Sequence, residues 1–330
     1  MMKPFGRVAA AFCFIAFSSA AVAWDRGTVE TFATLPAGTI MPEGIAVGPR
    51  GDLFVSTFAV TAPDTDHGKI VVFDSGGSLR RVLEVEGSSK LLLGIAFHPT
   101  THDLLVLDFG NGRVLKVNAQ NGKSSLFTSI GASAGLNALA FDKAGNVYIS
   151  DSFQGIVWRT GAGGGTATAW AQSPLLATSG TPPFGANGMG FDSQGRLYVA
   201  NTGDDRVIRI PVDAAGNAGT AEVFVNSVNG ADGLFVDEHD NIWVCANQAD
   251  EIVVIDPSGR AIAKLGDFDG IDASGRPKGL LFPASLVRVG DSIYVTNLSL
   301  DLRLFGLPQA VDSQYAAQVT SHTVSRIRVR

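Results

Sequence analysis

The chain has 330 residues, with 31 acidic side chains against 25 basic ones and a formal charge of −6. That balance, with no basic run or basic-aromatic cluster, argues against nucleic acid or an anionic membrane surface as a partner. Two cysteines, Cys13 and Cys245, supply no disulfide framework, while 39 glycines and a near absence of capped helical stretches indicate a turn-rich β protein.

The N-terminus comes first. Residues 1 to 23 carry Lys3 and Arg7, then the apolar run Val8 to Phe17, then Ala21-Val22-Ala23, the layout of a secretory signal peptide. The apolar run is too short to span a bilayer, and no lipobox precedes Cys13. An exported, soluble protein starting near Trp24 is expected, periplasmic or secreted, with no stable membrane association after cleavage. Residues 24 to 330 are expected to form one domain, in which Lys3 and Arg7 are lost and Cys245 stands alone as an inert thiol inside a strand.

The next element, Val29 to Leu35, is a strand with no partner nearby. After it comes a meander at Pro42 to Ser56: an apolar strand, a tight turn and a second strand. The same unit returns at Leu93 to Asp108, Leu136 to Asp151, Ala186 to Asn201, Ala231 to Asn247 and Phe282 to Asn297. Its first polar slot falls at Glu43, Leu93, Asn137, Asn187, Asp232 and Pro283, in steps of 50, 44, 50, 45 and 51 residues. Six copies at that period predict an all-β, six-bladed β-propeller of four-stranded antiparallel blades. Third strands follow at Lys69 to Phe73, Arg113 to Val117, Ile156 to Arg159, Arg206 to Ile210, Glu251 to Ile255 and Ser325 to Val329. Fourth strands lie around Leu79 to Val85, Ser124 to Thr128, Thr166 to Trp170, Ala221 to Val225 and Ala261 to Leu265. The sixth copy lacks one, so Val29 to Leu35 is expected to pair beside Ser325 to Val329 and close the ring, leaving no bare edges.

Four segments exceed the compact unit: Thr57 to Gly68, Ala171 to Gly185, Gly266 to Leu281 and Leu298 to Ser321. All emerge at the end of the blades that holds the polar slots, which suggests lids. Inner-strand side chains converge on the axis, so Glu43, Asn137, Asn187 and Asp232 should meet there. Two carboxylates and two amides crowded together need a cation, and an all-oxygen set suits a hard divalent ion, Ca2+ rather than Mg2+, with zinc disfavoured. The competing reading is that Asn187-Gly188 and Asp232-Gly233 are turn dipeptides capping a strand entrance.

This pattern resembles the SMP-30/gluconolactonase/strictosidine-synthase-like six-bladed propellers over Pro42 to Arg330. The resemblance implies one metal ion held by a Glu of the first blade, Asn of the third and fourth and Asp of the fifth, matching Glu43, Asn137, Asn187 and Asp232. It also implies hydrolysis of a small-molecule lactone or related ester, with Asp232 as general base. NHL-type and streptogramin-lyase-like propellers share the phrase Pro42 to Val47, so two alternatives stand beside it. One is a non-enzymatic propeller that binds a small molecule or protein on its lid face; the other is a lyase or strictosidine-synthase-like activity. Sugar-lactone members carry a basic side chain two residues before the blade-three Asn, where this chain has Gly135, and the lids offer Phe58, Phe184, Phe268, Leu304 and Phe305. A less polar substrate is therefore expected.

Second strands end on Asp108, Asp151, Asn201, Asn247 and Asn297, residue types suited to holding amides of the following turn. Asp151, Asn201 and Asn247 belong to metal-slot blades and are candidates for bracing the ligands. His67 and His322 lie in lid segments and are candidate proton shuttles, with Phe184 a candidate substrate contact. His98, His102 and His239 read as solvated turn residues. Gly161 to Gly165 reads as a flexible hairpin.

Overall fold

Short runs of β-branched and aromatic residues, broken by turns that begin on Asp, give a succession of short antiparallel strands. The computed structural model describes Met1 and residues 25–307 and 312–329, and arranges these strands as six four-stranded blades. Apart from Met1, the leader expected over residues 1 to 23 lies outside the described residues. Among those described, no helix is long and apolar enough to cross a membrane.

From the inside outward, blade one is built of Pro42–Val47, Leu53–Thr57, Lys69–Phe73 and Leu79–Glu84. Blade two follows with Leu92–Phe97, Leu104–Asp108, Arg113–Val117 and Ser124–Ser129. Blade three is Leu136–Phe141, Val147–Asp151, Ile156–Gly161 and Gly164–Gln172, and blade four Ala186–Phe191, Leu197–Asn201, Arg206–Ile210 and Glu222–Asn226. Blade five is Ala231–Val236, Ile242–Ala246, Glu251–Ile255 and Ala261–Leu265. Blade six takes Pro283–Val289, Ser292–Asn297 and Thr323–Arg328 from the C-terminal part and Val29–Thr34 from the N-terminal part. The expected closure is present, with Val29 opposite Ile327 and Thr34 opposite Thr323.

The turns explain why the strands stop where they do. Asp142 Oδ1 accepts from Ala144 N and Asn146 N at 2.9 Å each, and Gly145 takes φ +80°. Asp192 and Gly195 repeat this in blade four, with Asp192 Oδ1 accepting from Gln194 N at 3.0 Å and Arg196 N at 2.8 Å and Gly195 at φ +79°. An Asx turn followed by a residue in the left-handed region reverses the chain in few residues.

Two departures from the sequence reading concern these same devices. Gly266 to Leu281 is not an irregular lid: Phe268–Ile271 pairs with Pro277–Gly279, because Asp272 Oδ1 organises a turn by accepting from Ser274 N and Arg276 N. His98 is fully buried rather than solvated. Its Nδ1 faces Thr100 N and Thr101 N at 3.2 and 3.1 Å, and its Nε2 lies 2.9 Å from the Gly145 carbonyl of blade three, so it ties the turns of two blades together.

Each inner strand begins with a bulge. Register shifts fall between Pro42 and Ile45, Leu92 and Ile95, Leu136 and Leu139, Ala186 and Met189, Ala231 and Leu234, and Pro283 and Leu286. A bulge frees two residues from the ladder and re-aims the first of them. The second is usually glycine, for a steric reason. A Cβ on Gly44 would stand 2.6 Å from the Leu93 carbonyl oxygen, and one on Gly188 2.4 Å from that of Asp232. Glycine there lets the neighbouring blade's slot approach the axis. By this register the sixth slot is Ala284 rather than Pro283, since Pro283 stands opposite Asn297 as Ala231 stands opposite Ala246.

Candidate metal centre

The bulges deliver Glu43, Asn137, Asn187 and Asp232 into one cavity of about 40 Å³, also lined by Leu93, Thr202 and Asn247. One water needs about 10–15 Å³, so the floor has room for an ion and a water or two. Each of the four side chains is buried, at 4 to 5 % exposure.

Hydroxyl groups decide how the amides are oriented. Ser152 Oγ donates to the Ala186 carbonyl at 2.7 Å, and Thr202 Oγ1 donates to the Ala231 carbonyl at 2.7 Å. Their single protons are thereby used, so each accepts from an amide: Asn137 Nδ2 reaches Ser152 at 3.3 Å and Asn187 Nδ2 reaches Thr202 at 2.9 Å. This leaves both Asn carbonyl oxygens for the cavity. Asn247 Nδ2 donates to Asp232 Oδ2 at 2.8 Å.

The electrostatics are those of an acidic floor short of positive charge. Burial, and after it the charge of Asp232, raises the Glu43 carboxyl well above the usual carboxylate range. Burial pushes Asp232 up to about 7, against the opposing hydrogen bonds of Asn247, Asn187 and the Gly233 N–H. Glu43 Oε2 and Asn247 Oδ1 are buried without a hydrogen-bond partner among the described residues, and none of the described Lys, Arg or His side chains lines the cavity. Two buried carboxyls, orphaned acceptors and no counter-charge fit an oxygen-preferring divalent cation.

The expected bracing residues divide. Asn247 contacts Asp232, but Asp151 and Asn201 do not touch the candidate ligands. Asp151 Oδ1 accepts from Gly135 N, Phe153 N and Gln154 N, and its Oδ2 accepts from Trp158 Nε1. Asn201 Nδ2 donates to the Leu175 and Ala177 carbonyls. The reason is register. Asp151 and Asn201 face the first residue of their inner strands, as Ala246 does in blade five, so the counterparts of Asn247 are Ser152 and Thr202. Those two hydroxyl residues were missed; each is one position beyond a polar strand end that had drawn attention.

The lid candidates also divide. Phe184 lines the cavity, joined by Phe58, Pro182, Phe282, Leu298, Leu300 and Leu302. His67 instead lies beside Asp66 and Lys69 in a separate surface cavity and approaches the Ser88 carbonyl at 2.8 Å. His322 is buried at 6 % exposure, where its carbonyl accepts from Leu35 N; burial lowers its ring to about 4. Neither lines the cavity, because each stands just before the third strand of its blade, Lys69–Phe73 for His67 and Thr323–Arg328 for His322, and not at the inner strand.

A second carboxyl pair sits behind the wall. Asp250, 5 % exposed, accepts from Phe282 N at 2.7 Å. Burial first, then the neighbouring Asp312 carboxyl, pushes Asp250 up to about 8, against the Phe282 N–H. The native state therefore holds a proton that the unfolded chain releases near pH 4, so stability falls as pH rises from about 4 to 8. Asp250→Asn keeps the acceptor and tolerates the φ of +52°. It is expected to raise Tm by about 5 °C at pH 9 with no gain at pH 4, as read by thermal melts across pH.

A family model described as the SMP-30/Gluconolactonase/LRE-like region matches residues 89–266, just over half of the chain. Among solved structures, the chain is similar to a gluconolactonase from Xanthomonas campestris, at 14% identity, 99% coverage of both chains and a TM-score of 0.63. It is also similar to regucalcin, a calcium-binding protein from Agrobacterium tumefaciens, at 16% identity over 91% of this chain and 96% of that one, TM-score 0.59. A third is a virginiamycin B lyase from Staphylococcus aureus, at 11% identity over 90% and 83%, TM-score 0.58. At such identities the structural likeness establishes the fold alone. No curated protein matches the chain.

Proposed function

Because the chain belongs to the SMP-30/gluconolactonase/LRE-like family, we propose that it is an exported hydrolase of lactones or related esters that works with one divalent cation, Ca2+. The observation that carries the proposal is the buried floor of oxygen donors made by Glu43, Asn137, Asn187 and Asp232, with no basic side chain lining it among the described residues. A divalent cation held there would supply a Lewis acid that polarises the substrate carbonyl and makes water more acidic.

The chain's own residues supply the rest. Glu43 and Asp232 provide the negative charge that holds the ion, and the Asn137 and Asn187 carbonyls provide neutral oxygens whose direction Ser152 and Thr202 fix. Asn247 holds Asp232 by donating to Oδ2, and the other carboxylate oxygen, Oδ1, would take a proton from the attacking water. The water oxygen adds to the carbonyl carbon, the ring C–O bond breaks, and the proton passes from Asp232 to the departing alkoxide. The apolar wall of Phe58, Phe184, Phe282, Leu298, Leu300 and Leu302 limits bulk water at the floor.

The test is chelation followed by readdition of Ca2+, Mg2+ or Zn2+, with a panel of lactones and simple esters. Turnover should vanish with the chelator and return best with Ca2+. Should no lactone or ester be hydrolysed with any of these ions, the proposal fails and a purely binding propeller takes its place.

A further inference from the structure

The polar floor leaves the rim of the cavity unexplained. Four phenylalanine rings follow one another around it. Phe58 meets Phe109 edge-on at 5.6 Å, Phe109 meets Phe153 edge-on at 5.6 Å, and Phe153 meets Phe184 at 5.6 Å with the planes tilted by 36°. Phe58 follows the second strand of blade one, Phe109 that of blade two and Phe153 that of blade three, while Phe184 comes from the loop leading into blade four. The row therefore spans three blades. Its two ends, Phe58 and Phe184, line the cavity directly.

The row runs from the core out to solvent: Phe58 is buried at 4 % exposure in a core cluster against which Phe109 packs. Phe153 is 51 % exposed, and Phe109 and Phe184 are only half-buried. A large aromatic left in solvent beside a cavity usually has an apolar ligand to cover it. Gly135 belongs to the same feature: a Cβ there would stand 2.7 Å from the Phe153 ring, so the ring fills the space in which any side chain at 135 would project. Phe282, Leu298, Leu300 and Leu302, which share a cluster with Phe58, complete the apolar lining. Above the floor, the lining among the described residues offers a hydroxyl-rich substrate no charged group and few polar ones.

We infer that the Phe58–Phe109–Phe153–Phe184 row is a specificity subsite for an alkyl or aryl substituent on the lactone or ester. This rests on the hydrolase reading above, since the carbonyl must reach the floor for the substituent to reach the rim. The row acts on affinity and not on the reacting atoms. Each methylene moved from water onto such a wall gains about three- to fourfold, until the chain outgrows the rings. Polyhydroxylated lactones lose the same contact and must also shed water from their hydroxyls without replacement.

The experiment uses the full chain with Ca2+ and compares δ-valerolactone, δ-decalactone and glucono-δ-lactone as substrates. It adds calorimetric binding of a δ-lactam bearing a pentyl chain, which resists hydrolysis. δ-Decalactone should have the lowest KM. Phe153→Ala, at a half-exposed position that should not impair folding, should raise that KM about tenfold while leaving its kcat and all δ-valerolactone kinetics unchanged; Phe153→Leu should recover part of the loss. Equal effects of Phe153→Ala on both lactones, or a preference for glucono-δ-lactone, would overturn the subsite while the hydrolase reading stood. If nothing is hydrolysed but the pentyl lactam binds and Phe153→Ala weakens it about tenfold, the subsite stands and the hydrolase reading falls. Failure of the lactam to bind, with no hydrolysis, removes both.

Discussion

Asp232→Asn should lower lactone turnover by about a thousandfold or more at saturating Ca2+, with the fold intact. Loss of a positioned general base alone accounts for about 10²–10⁴, and Asn cannot take the proton at Oδ1. The substitution also removes one of the two buried negative charges on the floor, so Ca2+ affinity should fall as well. The two effects are separable. Glu43→Gln removes the other charge without touching the proposed proton acceptor, so its turnover should return toward wild type as Ca2+ is raised, while that of Asp232→Asn should not. In the wild-type protein, Ca2+ at about a hundred times its Kd should add about 2.7 kcal/mol of stability, or about 4 °C in Tm. Neither variant should show that gain at the same concentration. Without ions each should melt no lower than wild type, because it replaces a carboxyl whose ionisation burial opposes with a neutral amide. Turnover by Asp232→Asn within tenfold of wild type at saturating Ca2+ would exclude Asp232 as the base.

The parts of this centre that were legible in the sequence are those written into the repeat. A polar residue followed by glycine at the head of an apolar strand, as in Glu43-Gly44, Asn187-Gly188 and Asp232-Gly233, marks both the side chain aimed at the axis and the bulge that aims it. At Pro283-Ala284-Ser285, which has neither a polar slot residue nor a glycine, the slot is placed one residue early, whereas Asn137-Ala138 keeps the polar residue and its place. The same one-residue slip set Asn247 beside Asp151 and Asn201. A polar residue at a strand end can serve the turn or the ligand, and only the ladder register separates these roles. His98 looked like a surface turn because sequence reports its own turn and not the blade-three carbonyl that covers it. Of the rim rings, Phe58 and Phe184 were legible as lid aromatics, while Phe109 and Phe153 were not. Phe109 holds in blade two the position that Asn247 holds in blade five, and Phe153 lies one residue beyond its counterpart in blade three, but their ring contacts exist only once three blades stand side by side.

Removing residues 25–36 should destabilise the whole ring, not fray one end. Val29–Thr34 supplies the outer strand of blade six, pairing along Thr323–Arg328. Ala33 and Leu35 are buried in a cluster with Val324, Tyr294, Val55 and Phe73, and Phe32 meets the Tyr294 ring edge-on at 4.7 Å. That cluster joins blade six to blade one, so the deletion opens the ring at the seam between its first and last blades. Burial of a single Leu is worth about 1.5–3 kcal/mol and each ladder hydrogen bond about 1 kcal/mol, giving a loss of about 5 kcal/mol or more and a fall in Tm of about 8 °C. The Arg326–Glu30 ion pair is surface-exposed and adds little. The bare strand Thr323–Arg328 would also offer its free edge to other chains, so aggregation should accompany the loss. A synthetic peptide spanning residues 25–36 should restore part of the Tm when added in trans, which separates loss of the strand from general damage. An unchanged Tm in the truncated protein would mean that the ring is held at its other seams and that the N-terminal strand is dispensable.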